Sequence, residues 1–176
     1  SVTGSARELL LGDGAIALGL LEAGVDFFTG YPGTPATEVL EEAVRLAPRA
    51  GHPVHAEWSV NEKVAFDVAF AATLTGRHAA VAMKQVGLNV AADSLFSTAY
   101  TGVLGGLVIV VADDPGPHSS QTEQDSRFYA LAAKVPVLDP STPREARDMA
   151  REAVALSARS GLPVLLRPTL RVCHAR

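Results

Sequence analysis

The chain has 176 residues, 48% of them apolar and 19% charged, which suffices for one hydrophobic core and excludes wholesale disorder. A formal charge of -4 offers no basic footprint for nucleic acid, and the single cysteine, Cys173, excludes an intrachain disulfide and any cluster held by four thiolates of this chain. The longest apolar run, Val103 to Ala112, is too short and too interrupted by glycine to span a bilayer, and Ser1 to Arg7 lacks a signal-peptide pattern, so a soluble cytoplasmic chain without a membrane partner is expected.

Asp13 to Ala23 carries Ile16, Leu20 and Ala23 at helical spacing and stops at Gly24, and a strand is predicted over Val25 to Thr29. The turn Gly30-Tyr31-Pro32-Gly33 leads to Thr34-Pro35, read as an N-cap followed by proline at the first helical position, with a helix through about Leu46. Pro53 to Ala56 is a short apolar strand. Ser59 opens a helix to about Leu74 that stops at Gly76, and Ala79 to Met83 is a buried strand. A helix from about Leu88 to Tyr100 and the strand Leu107 to Ala112 follow. Beyond a polar stretch come a helix near Gln124 to Ala133, the strand Val135 to Leu138, a helix from about Pro143 to Ala158 and the last strand, Pro163 to Arg167. Thr142-Pro143-Arg144-Glu145 is a capping box with proline at the first helical position. Strands alternating with helices predict one α/β domain: three layers, about six mostly parallel strands, helices on both faces. Ligands in such folds bind outside the carboxyl ends of the strands, which directs the search to the loops there.

Glu62 follows Ser59 by three residues, so it completes a capping box by reaching back to the Ser59 N–H. It also fits a carboxyl group held among apolar residues, where desolvation raises its pKa and it shares a proton with a ligand nitrogen. Both readings stand together. The helix behind it is apolar on most faces, which places its N-terminal turn at a subunit interface and predicts a homo-oligomer. In Gly30 to Pro35 the glycines allow close approach to the backbone, and the Thr34 hydroxyl and the helix start suit an anion; the same segment also serves as a plain turn. Lys84-Gln85-Val86-Gly87-Leu88-Asn89 holds the equivalent place after the strand Ala79 to Met83, as a ligand-facing loop or a solvated turn. Asp113 to Glu123 is a long polar connection, mobile or functional, whose titratable base near neutral pH is His118. His52 and His55 fall on opposite faces of a strand and make a poor metal pair. No metal ligand set is expected in this chain.

Four segments carry a resemblance: Gly30-Tyr31-Pro32-Gly33-Thr34-Pro35, Ala56-Glu57-Trp58-Ser59-Val60-Asn61-Glu62-Lys63, Met83-Lys84-Gln85-Val86-Gly87-Leu88-Asn89-Val90, and Val111-Ala112-Asp113-Asp114-Pro115-Gly116-Pro117-His118-Ser119-Ser120-Gln121. In this order they resemble the N-terminal domain of indolepyruvate ferredoxin oxidoreductase α subunits, within the 2-oxoacid:ferredoxin oxidoreductase family. The resemblance implies a single pyrimidine-binding domain over residues 1–176 of a thiamine diphosphate enzyme. Glu62 would contact N1′ of the aminopyrimidine and activate the cofactor. Gly33, Gln85, Gly87 and Asn89 would line the cofactor, with Thr34 and His118 on the substrate side. It also implies oxidative decarboxylation of indolepyruvate or another aryl pyruvate to the acyl-CoA. Mg2+ would be held by a partner diphosphate-binding domain or subunit, and iron–sulfur clusters, coenzyme A and ferredoxin would belong to the full complex. The Gly12-Asp13-Gly14 triplet has the letters that open the Mg2+–diphosphate motif of such enzymes but not its asparagine continuation, and is set aside as that site. The chain ends at Cys173-His174-Ala175-Arg176, before the diphosphate-binding and cysteine-rich parts of the family subunits, so activity is expected only with a partner. The alternatives are the α subunit of a non-oxidative thiamine diphosphate decarboxylase and a catalytically silent dimerisation module.

Overall fold

In the computed structural model, residues 9–175 are described, and the Ser1 to Arg7 stretch and Arg176 lie outside them. Six parallel strands form one sheet in the order β2-β1-β3-β4-β6-β5: β1 (Phe27–Gly30), β2 (His55–Trp58), β3 (Ala79–Lys84), β4 (Leu107–Ala112), β5 (Val137–Leu138) and β6 (Val164–Leu166). Successive side chains of a strand point to opposite faces, and here both faces are covered. Ala80, Ala82, Val108, Val110, Val164 and Leu166 enter one core beneath α1 (Gly12–Glu22), α2 (Thr37–Leu46) and α7 (Pro143–Ser160). The alternate residues Val81, Met83, Leu107, Ile109, Val111 and Leu165 enter the second core, beneath α3 (Glu62–Thr73), α4 (Gln85–Val90), α5 (Ala92–Thr101) and α6 (Arg127–Ala133). The expected three-layer parallel α/β architecture with six strands is what the chain adopts.

Several boundaries differ for physical reasons. β2 lies two residues later than expected, because Phe27 pairs with His55 and Gly30 with Trp58; this edge strand is polar at His55 and Glu57, so apolar content does not mark it. The single helix predicted over Leu88 to Tyr100 is two helices: α4 begins at Gln85, and Ala91 (φ -90°, ψ 5°) separates it from α5. The α2 helix begins at Thr37 rather than at Pro35. A short helix, α8 (Leu170–Cys173), follows β6 and was not foreseen. It packs so closely on the start of α1 that a Cβ on Gly12 would overlap the Val172 carbonyl, and the Gly12 N–H donates to the Ala175 carbonyl. The α7 cap is as expected, with Thr142 Oγ1 accepting from the Glu145 N–H at 3.2 Å, although the Glu145 carboxylate accepts from the Ser141 N–H instead of closing on Thr142. Among the described residues no helix is long and apolar enough to cross a membrane.

Candidate functional site

The carboxyl ends of β1, β3 and β4 carry three of the four segments singled out in the sequence, and the start of α3 carries the fourth. After β1, the Gly33 N–H donates to Thr37 Oγ1 at 2.9 Å and the Gly33 carbonyl accepts from the Ala36 N–H at 2.8 Å. Thr34 therefore sits in the turn and does not cap α2. It is exposed, and the peptide bond between it and Pro35 is cis. The side chain of Lys84, at the end of β3, lies against Gly33, where a Cβ would come within 3.2 Å of Lys84 Cδ, and its ammonium donates to the Ser119 carbonyl at 3.3 Å. Lys84 thus joins the β1 turn to the loop after β4.

That loop is tied at both ends. Asp113, fully buried at the end of β4, accepts from the Ser126 hydroxyl at 2.5 Å and N–H at 2.9 Å, and from Arg167 Nε at 2.7 Å. Asp114 Oδ2 gathers the N–H groups of His118, Ser119 and Ser120 at 3.0, 2.9 and 3.1 Å. Burial acts to raise the Asp114 pKa, but these donors outweigh it and hold the carboxyl below its ordinary range. A connection that sequence alone leaves as mobile or functional is thus wound about one carboxylate. His118 is exposed on it and borders a cleft of about 350 Å3 with Pro115, Thr169, Leu170 and Arg171.

Glu62 is the first residue of α3, and Asn61 is the N-cap, its Oδ1 accepting from the Val64 N–H at 2.9 Å. The Ser59 N–H, which a capping box would offer to Glu62, donates instead to the Gly30 carbonyl at 2.9 Å. The expected Ser59–Glu62 box is therefore replaced by an asparagine cap. The half-buried Glu62 side chain folds over Gly87: a Cβ there would stand 2.5 Å from Glu62 Cγ and 2.6 Å from Oε1. No described residue donates a hydrogen bond to the Glu62 carboxylate. Its neighbour Lys63 anchors the helix start to α5, through Asp93 at 3.1 Å and Ser94 at 3.0 Å.

The three α4 candidates do not line up together. In a loop Gln85, Gly87 and Asn89 would share a side, but a helix turns them to different sides. Gln85 is fully buried, its Nε2 donating to the Thr122 carbonyl at 2.5 Å and its Oε1 accepting from the Asp114 N–H at 2.6 Å, so its side chain clamps the β4 loop. Gly87 meets Glu62. Asn89 is exposed and accepts from the Tyr129 hydroxyl of α6 at 2.5 Å. Sequence reasoning missed Lys84, Asn61 and Arg167; the pair Asp113-Asp114 ending an apolar strand was the one local sign of the loop clamp. His55 bonds Glu57 at 2.9 Å and its ring stacks on Phe27 at 4.7 Å, while His52 lies outside the strand, so the two form no metal pair. Asp13 is buried beside Cys173 in a separate cluster with Glu38. Burial, together with the charges of Glu38 and Glu42, pushes its pKa up to about 7, against a lowering contact with the thiol.

Comparison with known proteins gives a family for this geometry. A family model described as pyruvate flavodoxin/ferredoxin oxidoreductase, thiamine diP-bdg, matches residues 18–173. The chain is 53% identical to indolepyruvate oxidoreductase subunit IorA of Archaeoglobus fulgidus over 96% of this chain and 27% of that one. The same subunit of Thermococcus kodakarensis is 54% identical, over 97% of this chain and 26% of its own length. Ketoisovalerate oxidoreductase subunit VorB of Methanothermobacter thermautotrophicus is 28% identical, over 92% and 47%. The chain thus spans about a quarter of the length of the indolepyruvate relatives. In fold it matches a 2-oxoglutarate:ferredoxin oxidoreductase from Magnetococcus marinus, with a TM-score of 0.84 at 21% identity over 94% of this chain and 30% of that one.

Proposed function

The chain belongs to the pyruvate flavodoxin/ferredoxin oxidoreductase thiamine diphosphate-binding family, and from that membership we propose that it is the pyrimidine-binding half of a 2-oxoacid:ferredoxin oxidoreductase that converts indolepyruvate to its acyl-CoA. The observation that carries this reading is the Glu62 carboxylate, unpartnered among the described residues and lying over the bare backbone of Gly87. A heteroaromatic ring with a basic nitrogen calls for a carboxyl group free to share a proton with it, and the missing side chain at Gly87 leaves the Glu62 carboxyl the space to lie there. The residues present fit the pyrimidine of thiamine diphosphate on this count.

Bound there, thiamine diphosphate supplies the nucleophilic carbon that attacks a 2-oxo acid and stabilises the charge left by decarboxylation. The chain's own part is to hold a proton and a shape. Glu62, at the first position of α3, shares a proton with the ring nitrogen. Gly33 lines the cofactor and Thr34 borders the substrate carboxylate, and Lys84 adds positive charge between that turn and the loop. His118 stands on the substrate side of the loop that Asp114 winds and Gln85 clamps. Asn89, bonded to Tyr129, holds α4 to α6 so that Gly87 keeps its place.

Mg2+ and the diphosphate are assigned to a partner domain or subunit. Iron–sulfur clusters, coenzyme A and ferredoxin are assigned to the complete complex, and the exposed Val60 and Val64 beside Glu62 to a contact with that partner or a second copy. We place the reaction in the cytoplasm. The indolepyruvate assignment draws on the relatives of 48–54% identity being indolepyruvate subunits, against 28% for the ketoisovalerate one. Titration of thiamine diphosphate into the chain reconstituted with a diphosphate-binding partner tests the half-site: saturable binding that needs both chains is expected, and no binding in any pairing would remove it. Turnover of indolepyruvate ahead of pyruvate and branched 2-oxo acids is expected of the complete complex.

A further inference from the structure

Three residues remote in sequence meet where α1, α2 and α8 converge. Asp13 lies in the first turn of α1, Glu38 in the first turn of α2, and His174 caps the end of α8. One ligand atom from each, two carboxylate oxygens and an imidazole nitrogen, lie within 4.8 Å of one another. Asp13 is 1% exposed, yet among the described residues its oxygens meet only the neighbouring Cys173 thiol, and Glu38 Oε2 is buried without a hydrogen-bond partner. Buried polar atoms are almost always satisfied, and two carboxylates facing each other out of water repel, so this arrangement is costly unless something positive stands between them.

We propose that Asp13, Glu38 and His174 bind a first-row divalent transition-metal ion, Zn2+ being the best match. The donor set decides the ion. Mg2+ and Ca2+ favour all-oxygen shells of six or more ligands, whereas two carboxylates and one imidazole suit Zn2+ with its fourth position open. Asp13 and Glu38 also border a cavity of about 310 Å3 with Leu10, Gly14, Glu42 and Arg45. Bond lengths of about 2.0–2.2 Å require the three donors to draw in slightly, which the exposed His174 side chain is free to do. The close seat of α8 on Gly12 brings His174 to the carboxylates, since any larger residue there would push α8 away. The ion would staple the end of the described chain to α1 and to α2, the helix that follows the Gly33 turn. This site stands apart from the Glu62 half-site and does not depend on its function.

The test is calorimetric titration of ZnCl2 into the EDTA-dialysed chain, beside the variants His174→Ala, Asp13→Asn and His52→Ala. His174 and His52 lie outside the packed core, so the first and third variants keep the test valid even if Asp13→Asn fails to fold. One Zn2+ per chain is expected, weakened at least about ten-fold by His174→Ala and by Asp13→Asn but not by His52→Ala, with millimolar Mg2+ unable to compete. Absence of binding, or equal binding by the chain and its His174→Ala variant, would overturn the proposal.

Discussion

Gly87 has no room for a side chain because Glu62 occupies it: a Cβ on Gly87 would lie 2.6 Å from Glu62 Oε1. The contact joins the first residue of α3 to the middle of α4, and it fixes the direction of a carboxylate that no described donor holds. Gly87→Ala is therefore expected to displace Glu62. The Glu62 carboxyl ends a flexible side chain that no described donor holds and can swing aside, so urea denaturation should show a change of less than about 1 kcal/mol. Thiamine diphosphate affinity in the reconstituted complex should fall by more, at least about ten-fold on the binding scale.

Asn61 and Ser59 offer a separate check of the local structure at the same helix. Loss of an N-cap side chain costs about 1 kcal/mol, whereas Ser59 contributes its N–H to the Gly30 carbonyl and that bond survives a side-chain change. Asn61→Ala should lower stability by about 1 kcal/mol and Ser59→Ala by less than about 0.5 kcal/mol in chemical denaturation. The reverse order would restore the Ser59–Glu62 box.

Arg167 and Asp113 form an ion pair with Arg167 only 7% exposed and Asp113 fully buried. Removing one partner strands the other's charge. Arg167→Ala should cost on the order of 3–5 kcal/mol, and the double variant Arg167→Met with Asp113→Asn should recover part of it. Denaturant titration of the single and double variants reads both outcomes.

The Asp114 loop predicts a pH dependence. Its carboxyl has a folded-state pKa below the unfolded value of about 3.9, so between those two values the unfolded chain binds the proton and stability rises with pH. The contribution is fully present above about pH 4 and is lost as pH falls through the depressed folded pKa. Amide shifts of His118, Ser119 and Ser120, followed by NMR, should titrate together with a midpoint below the ordinary aspartate value. Asp114→Asn should abolish the common transition and leave the loop amides averaged.

The central strands are legible because the sequence must serve two cores at once. Leu107, Ile109 and Val111 face one and Val108 and Val110 the other, so β4 appears as an unbroken apolar run with both ends marked. At the sheet edge that pressure is absent, and β2, with His55 and Glu57, lies two residues beyond the apolar Pro53 to Ala56 run that sequence marks. Gln85-Val86-Gly87-Leu88-Asn89 has a polar and glycine content that suits a turn, yet tertiary contacts through Gln85 and Gly87 make it a helix and so send its candidates to different sides. Glu62 was visible as an acid at a helix start. Its freedom was not, since it depends on the Gly30 carbonyl taking the Ser59 N–H across two strand ends. The Asp13, Glu38 and His174 cluster is spread along the whole chain, and no local spacing announces it.

Glu62→Gln in the reconstituted complex tests the central claim most directly. Glutamine keeps the size and hydrogen-bonding reach of the side chain but cannot hold the proton of a ring nitrogen. The account predicts a stability change below about 1 kcal/mol with thiamine-dependent turnover of indolepyruvate nearly abolished. Turnover retained at the parent rate would contradict it and leave Glu62 as a residue of the α3 start and nothing more.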